Sequence, residues 1–141
     1  MSLEQQFVGV LELLLAMTLS MVIGLNRERR DKDAGLRTHM LVGLGACLFT
    51  VLAARAFPTD SASRIIANII TGIGFLGAGI IYQTKDGTRD LTTAASIWAT
   101  AAIGMVVGIG AWFMAMCATL LVWVTLEIFW YLRNLIKSEP S

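Results

Sequence analysis

The stretch TGIGFLGAGI, Thr71 to Ile80, carries Gly72, Gly74 and Gly77 in the G-x-G-x-x-G spacing of a dinucleotide-binding turn. That spacing grips a pyrophosphate only between a strand and a helix, where backbone N–H groups at the helix start meet the ligand. Here it lies inside an apolar run, so a nucleotide is not expected. The other candidates for chemistry are polar groups buried in such runs: Glu12, Arg64, Asn68 and Glu127. A charge at mid-membrane costs about 2.5–3.5 kcal/mol on insertion scales, so each needs a partner or a purpose. Glu12 is within snorkelling reach of Arg64 or Arg55; the pair would lock spans one and three, or Glu12 would form a proton or cation site. Asn68, one turn beyond Arg64, can donate and accept between helices, as glue or as a ligand. Glu127 is placed to reach the membrane interface or to pair with a base such as Arg133. Cys47 and Cys117 both lie in apolar runs and read as packing thiols. With His39 the chain's one histidine, no metal-binding cluster is expected. Neither a cofactor box nor a nucleophile–base pair is visible, so no enzyme is expected.

The elements holding these residues must be membrane spans. The 141 residues are 56% hydrophobic and 15% charged, with a mean hydropathy of +0.70. A soluble domain is roughly 45–50% apolar. A net charge of +1 gives no reason to expect nucleic acid as a partner. Five apolar spans are expected at about 7–25, 38–57, 64–84, 91–109 and 111–132, each long enough for a hydrocarbon core about 30 Å thick. The fold class is thus an all-α membrane protein, a compact bundle of five transmembrane helices in one domain, 1–141, with the lipid bilayer as its solvent. The segment before the first span has no Lys or Arg and no cleavage site follows, so that span should persist. Loop one holds Arg27, Arg29, Arg30, Lys32 and Arg37, the third connection Lys85 and Arg89, and the tail Arg133 and Lys137. Only Arg55 and Arg64 lie toward the other side, which places the N-terminus outside and the C-terminus in the cytoplasm.

On a helix turning about 100° per residue, Gly72 and Gly79 share one face while Gly74, Gly77 and Ala78 share the other. A helix smooth on two sides belongs at the centre of a bundle, because small residues let backbones approach where lipid removes the hydrophobic drive. Span four has Ala94, Ala101, Gly104 and Gly108 on one stripe and Ala95, Ala99 and Ala102 on another, so spans three and four are expected to pack tightly. Gly104 and Gly108 form a G-x-x-x-G pair that could equally serve a homodimer. A sharper alternative breaks span three into two half-helices around a binding site.

The basic end is densest in specific chemistry. Asn26, Arg27, Glu28 and Arg37 lie beside Thr38 and His39 at a helix start, and the TRDLTT stretch brings Arg89, Asp90 and Thr93 to the start of span four, with Asp90 as a helix N-cap. Thr71, Thr92, Thr93, Ser96 and Thr100 can bond back to their own helix. This end is either a topogenic basic loop touching anionic lipid, or a polar cluster of Asn26 and Glu28 with Arg37 and Arg89 presenting a site to an ion or protein.

The segments IGLNRERR…AGLRTHMLVGLGACLF, SRIIANIITGIGFLGAGII and RDLTTAASIWATAAIG, in order over Gly24–Gly104, resemble the membrane domain of the MgtC/SapB family. Its motif residues would fall on Arg27, Gly35, Leu36, Arg37, Thr38, Arg64, Gly72, Gly74, Phe75, Gly77, Gly79, Arg89, Thr93 and Trp98. The resemblance implies a bacterial inner-membrane protein linked to magnesium homeostasis and virulence. The resemblance further implies action on a membrane partner, such as the F-type ATP synthase, with transport of Mg²⁺ or H⁺ as the alternative. Asn26 stands where the family's G-x-E-R motif is often acidic, and Asp90 replaces a frequent Gly before LTTAA. The chain stops soon after span five and so resembles the short, membrane-only form.

Overall fold

The computed structural model describes residues 1–84 and 87–137, with side chains throughout except at 82–89, 129–130 and 132–137. Five helices follow in order: α1 (Leu3–Glu28), α2 (Leu36–Ala56), α3 (Thr59–Ile80), α4 (Leu91–Gly108) and α5 (Trp112–Lys137). Between α3 and α4 lies a small antiparallel hairpin, β1 (Tyr82–Thr84) and β2 (Gly87–Arg89), with Gln83 paired to Thr88. Residues expected as the end of span three are thus strand. The helix stops at Ile80, and its first turn begins before Arg64, at Thr59.

Local chemistry explains the boundaries. Ser2 and Gln5 form a reciprocal capping box that starts α1 before the apolar run begins. Pro58 precedes α3, where its missing N–H costs nothing. Gly110, at φ +82°, supplies the left-handed turn that reverses α4 into α5. Helices α1 to α4 are long and apolar enough to cross a membrane, and in α5 the stretch Trp112–Ile128 continues the pattern. At about 1.5 Å per residue the 21 residues of α2 cover about 32 Å.

The core lies along the seam of α1, α2 and α4, with α5 against α1 and α4. Ala16, Ile23, Cys47, Val51, Ile103, Val107 and Ala115 form one buried cluster, and Ala34, Val42, Ala46, Ile97 and Ala101 a second. Helix α3 corrects the central expectation. Only Gly77 is buried in it, and its most apolar 18-residue window buries nothing, against 56% of the window of α4. It packs one face on α2 and α4 and is continuous, not broken into half-helices. A Cβ added at Gly72, Gly74 or Gly79 would meet no atom within 4 Å, and one at Gly77 would make only ordinary contact with Ala94. These glycines therefore do not seat neighbouring backbones.

The glycines that do so lie elsewhere. A Cβ at Gly104 would strike the Gly43 carbonyl oxygen and lie 3.0 Å from its carbon. One at Gly108 would come within 2.8 Å of Thr50 Cβ and 2.9 Å of the Cys47 carbonyl oxygen. The G-x-x-x-G of α4 thus serves packing within the chain, against α2 rather than α3, and is covered. Gly43 in turn faces Ser20 of α1, and Gly24 faces the backbone of Leu36. Glycine joins three helices at van der Waals contact, which is how a seam closes where lipid offers no hydrophobic drive.

Candidate functional site: a polar cluster at the basic end and an ion pair at the other

Because α1, α3 and α5 run one way and α2 and α4 the other, loop one, the hairpin and the C-terminal part of α5 share one end of the bundle. There Arg27, buried in the last turn of α1, donates from Nη2 to Thr93 Oγ1 at 2.9 Å. Thr93 passes its own proton to Asp90 Oδ1 at 3.0 Å instead of back-bonding to its helix. Asp90 occupies the N-cap position of α4 as expected, but it is left-handed, at φ +59°, and its carboxylate bonds the Thr93 hydroxyl, not a backbone N–H. Among non-glycine residues, Asn and Asp adopt this left-handed conformation most readily.

His39, fully buried, ties this arrangement to α2. Its Nδ1 lies 2.9 Å from the Gly35 carbonyl and its Nε2 3.1 Å from Ser96 Oγ. A carbonyl only accepts, so Nδ1 carries a proton, and the neutral ring offers Nε2 as an acceptor. Ser96 also lies 2.8 Å from the Thr93 carbonyl, so its one proton serves either that oxygen or the histidine. Glu28 closes the start of α2. Its Oε2 accepts from Leu36 N at 2.7 Å, where the N-cap Gly35 has no side chain to offer. A Cβ at Gly35 would fall on that carboxylate.

Asn26 completes the cluster from its other side, donating to Glu127 Oε1 of α5 at 2.8 Å, while Arg30 pairs with Glu127 Oε2. The expected partner Arg133 lies outside the described side chains, as does Arg89. At position 26, where the resemblance implies a frequent acid, the chain has Asn26 with the Glu127 carboxylate of α5 held against it. Among the described residues, Asn26 Oδ1 and Arg27 Nε are buried without a protein partner, leaving one acceptor and one donor of the cluster open. Arg37 and Thr38, expected in the cluster, are exposed, as are Arg29 and Lys32. They ring the network instead of joining it.

The opposite end holds a second polar site. Arg55 Nη2, in the last turn of α2, lies 2.6 Å from both carboxylate oxygens of Glu12, and Nη1 donates to the Gln5 carbonyl at 2.9 Å. Glu12 is only 2% exposed, about 14 Å along α1 from Leu3 at 1.5 Å per residue. Gly9 leaves the guanidinium room, since a Cβ there would be 3.3 Å from Nη1. The pair thus locks α1 to α2, and the expected lock between α1 and α3 is not formed. Arg64 and Asn68 lie exposed on α3.

Residue types did not reveal Ser96 as a partner of His39, Arg30 as the partner of Glu127, or Ser20 and Gly43 as a contact. For the last a signal existed: Gly43 and Cys47 of α2 form their own small-x-x-x-small pair, facing Gly104 and Gly108.

A profile of the MgtC family matches residues 13–135. The chain belongs to that family. Its MgtC relative from Salmonella typhimurium (strain LT2) is 44% identical over 116 residues, covering 82% of this chain and 50% of the relative. YhiD of Escherichia coli (strain K12), named provisionally as a magnesium transporter, is 40% identical over 128 residues, covering 85% and 60%. SrpB of Synechococcus elongatus is 40% identical over 143 residues, covering 92% and 79%. The chain therefore spans half to three fifths of the length of the first two relatives. No solved structure matches it. Membership and the apolar helices make this a multi-pass bacterial inner-membrane protein.

Proposed function

We propose that this MgtC-family protein acts in magnesium or ionic homeostasis by binding and modulating a membrane partner, with the F-type ATP synthase as the candidate that the family resemblance suggests. The basic end, with its cluster and its exposed ring of Arg29, Lys32 and Arg37, faces the cytoplasm by the positive-inside rule, with the N-terminus outside. That rim is the docking surface, and the cluster of Arg27, Thr93, Asp90, His39 and Asn26 sets its shape.

One observation carries this reading over transport. Along the α1/α2/α4 seam, backbone meets backbone at Gly43 and Gly104, and Ser20 fills the space over Gly43. The buried hydroxyls of Ser20, Thr50 and Thr100 bond back to carbonyls of their own helices at 2.7–2.8 Å. A solute path needs polar groups turned toward a lumen. Here they are spent on the helices that bear them.

Transport of Mg²⁺ or H⁺ is the second reading, favoured by the name of YhiD and by a groove of about 500 Å³ between α2 and α3 with Asn68 on its wall. Purified protein in liposomes loaded with a Mg²⁺ or pH indicator separates the two. The modulator reading expects no protein-dependent flux, together with a change in ATP-driven proton pumping when the protein is present in vesicles containing ATP synthase. That change should weaken with Arg37→Glu. Protein-dependent movement of either ion would overturn the modulator reading.

A further inference from the structure

Measured from Asn68 at 100° per residue, Gly77, the buried contact of α3, lies 180° away. Asn68 is therefore turned from that contact and exposed at the lip of the groove toward α2, with Arg64, Gly72, Phe75 and Gly79 within about 40° of it on the same exposed face. Asn68 also lies about 2 Å along the axis from the midpoint of this 22-residue span. An amide at that depth with only lipid tails around it has nothing to bond, and its cost is relieved only by another polar group in the membrane.

We propose that this face of α3 is an interface between two copies of the chain, related by a two-fold axis along the membrane normal. Such an axis brings equal depths together, so Asn68 meets Asn68, and an amide, carrying both donors and an acceptor, is its own complement. Gly72 and Gly79 let the two backbones close to the distance that this bond requires. Charge fits as well: Asp60 and Arg64, both exposed and one turn apart, come within a turn of their opposites across the axis. Phe75, 81% exposed, sits at the depth of the groove between α2 and α3 lined by Gly45, Phe49, Gly72 and Leu76. That groove, of about 500 Å³, has room for the ring of the second copy. Gly104 and Gly108 cannot serve this purpose, since α2 covers them. The interface does not depend on what the basic end binds, so its failure and that of the modulator reading are separable.

Cysteine cross-linking in native membranes tests it. In full-length protein with Cys47→Ala and Cys117→Ser, single cysteines at Gly72 and Phe75 are expected to give a covalent dimer on oxidation, at least tenfold more than Leu11→Cys on the exposed face of α1. Asn68→Leu, added to Gly72→Cys, should cut that yield about tenfold, and Asn68→Gln should restore it. Equal yields at positions 11, 72 and 75 would overturn the proposal. So would adducts whose mass shows another protein, or a dimer that Asn68→Leu leaves intact. The profile of the cysteine positions decides by itself if the leucine variant does not accumulate.

Discussion

Gly104→Ala tests the seam most directly. The new Cβ would sit 3.0 and 3.1 Å from the carbonyl carbon and Cα of Gly43, and closer still to the carbonyl oxygen. Carbon atoms rest at about 3.5–4.0 Å, so α2 and α4 must part by roughly 0.5–1 Å, a gap that forfeits a quarter to a half of each facing contact. Both sides of the clash are helix backbone, which cannot rotate away. The cost belongs at the upper end of the overpacking range, about 3 kcal/mol. Alanine returns up to about 1 kcal/mol of helix propensity, which leaves about 2 kcal/mol of net loss. At about 3 °C per kcal/mol for a chain of this size, Tm should fall by roughly 6 °C. Cys47, fully buried, provides the assay: with the exposed Cys117 changed to serine, a thiol-reactive dye in mild detergent reports unfolding through Cys47 alone. The matching control is Gly74→Ala on α3, where nothing lies within 4 Å and Tm should hold or rise slightly. If Gly104→Ala melts within about 1 °C of the parent, or if the two variants fall together, the assignment of the seam to α2 and α4 is wrong.

Glu12→Leu alone should destabilise by about 3 kcal/mol, because Arg55 keeps its charge without a partner, whereas Glu12→Leu with Arg55→Met should recover most of that in the same dye assay. Gly43→Ala should lower Tm because its Cβ would fall on the Ser20 side chain, and Ser20→Gly should rescue it, a suppression read from melting of the double variant. Asp90→Val should cost about 1–2 kcal/mol, since a β-branched residue fits badly at φ +59° and Thr93 loses its acceptor, while Asp90→Asn should melt close to the parent.

Helix number and the use of Gly104 and Gly108 in packing were legible because they rest on length and small-residue spacing, both local properties. The place of α3 was not. A glycine face says that a backbone could approach, and Gly72, Gly74 and Gly79 show that permission is not contact. What decides between α2 and α3 as the neighbour of α4 is the reciprocal smoothness of the partner, which a single helix does not display: Gly43 on α2 meets Gly104, while α3 offers α4 mainly isoleucines. The partner of Glu12 failed for a related reason. Arg55 and Arg64 were both within reach along the chain, and the choice fell to Arg55 because Gly9 clears a channel for its guanidinium beside α1. The left-handed Asp90 was hidden because an Asp before a helix ordinarily reads as a cap. The resemblance to a family with frequent glycine there was the available sign of positive φ.

The distribution of polar bonds divides the molecule into a block and an appendage. Helices α1 and α2 are fastened at one end by Glu12–Arg55 and at the other by Glu28 at Leu36 N; α1 and α4 by Arg27–Thr93; α2 and α4 by His39–Ser96; and α1 and α5 by Asn26 and Arg30 at Glu127. Most of these bonds lie toward an end of their helices, though Glu12, Arg27 and His39 are buried, and the middle of the seam is left to glycine and apolar contact. Among the described residues, no side-chain hydrogen bond or ion pair joins α3 to this block. Two grooves of about 350 and 500 Å³ flank it instead. Were the bundle to rearrange within the membrane, displacement of α3 against α2 and α4 would be the low-cost route. That route breaks no polar bond of the described residues, whereas sliding α1 against α2, α4 or α5, or α2 against α4, would break a charged or histidine contact.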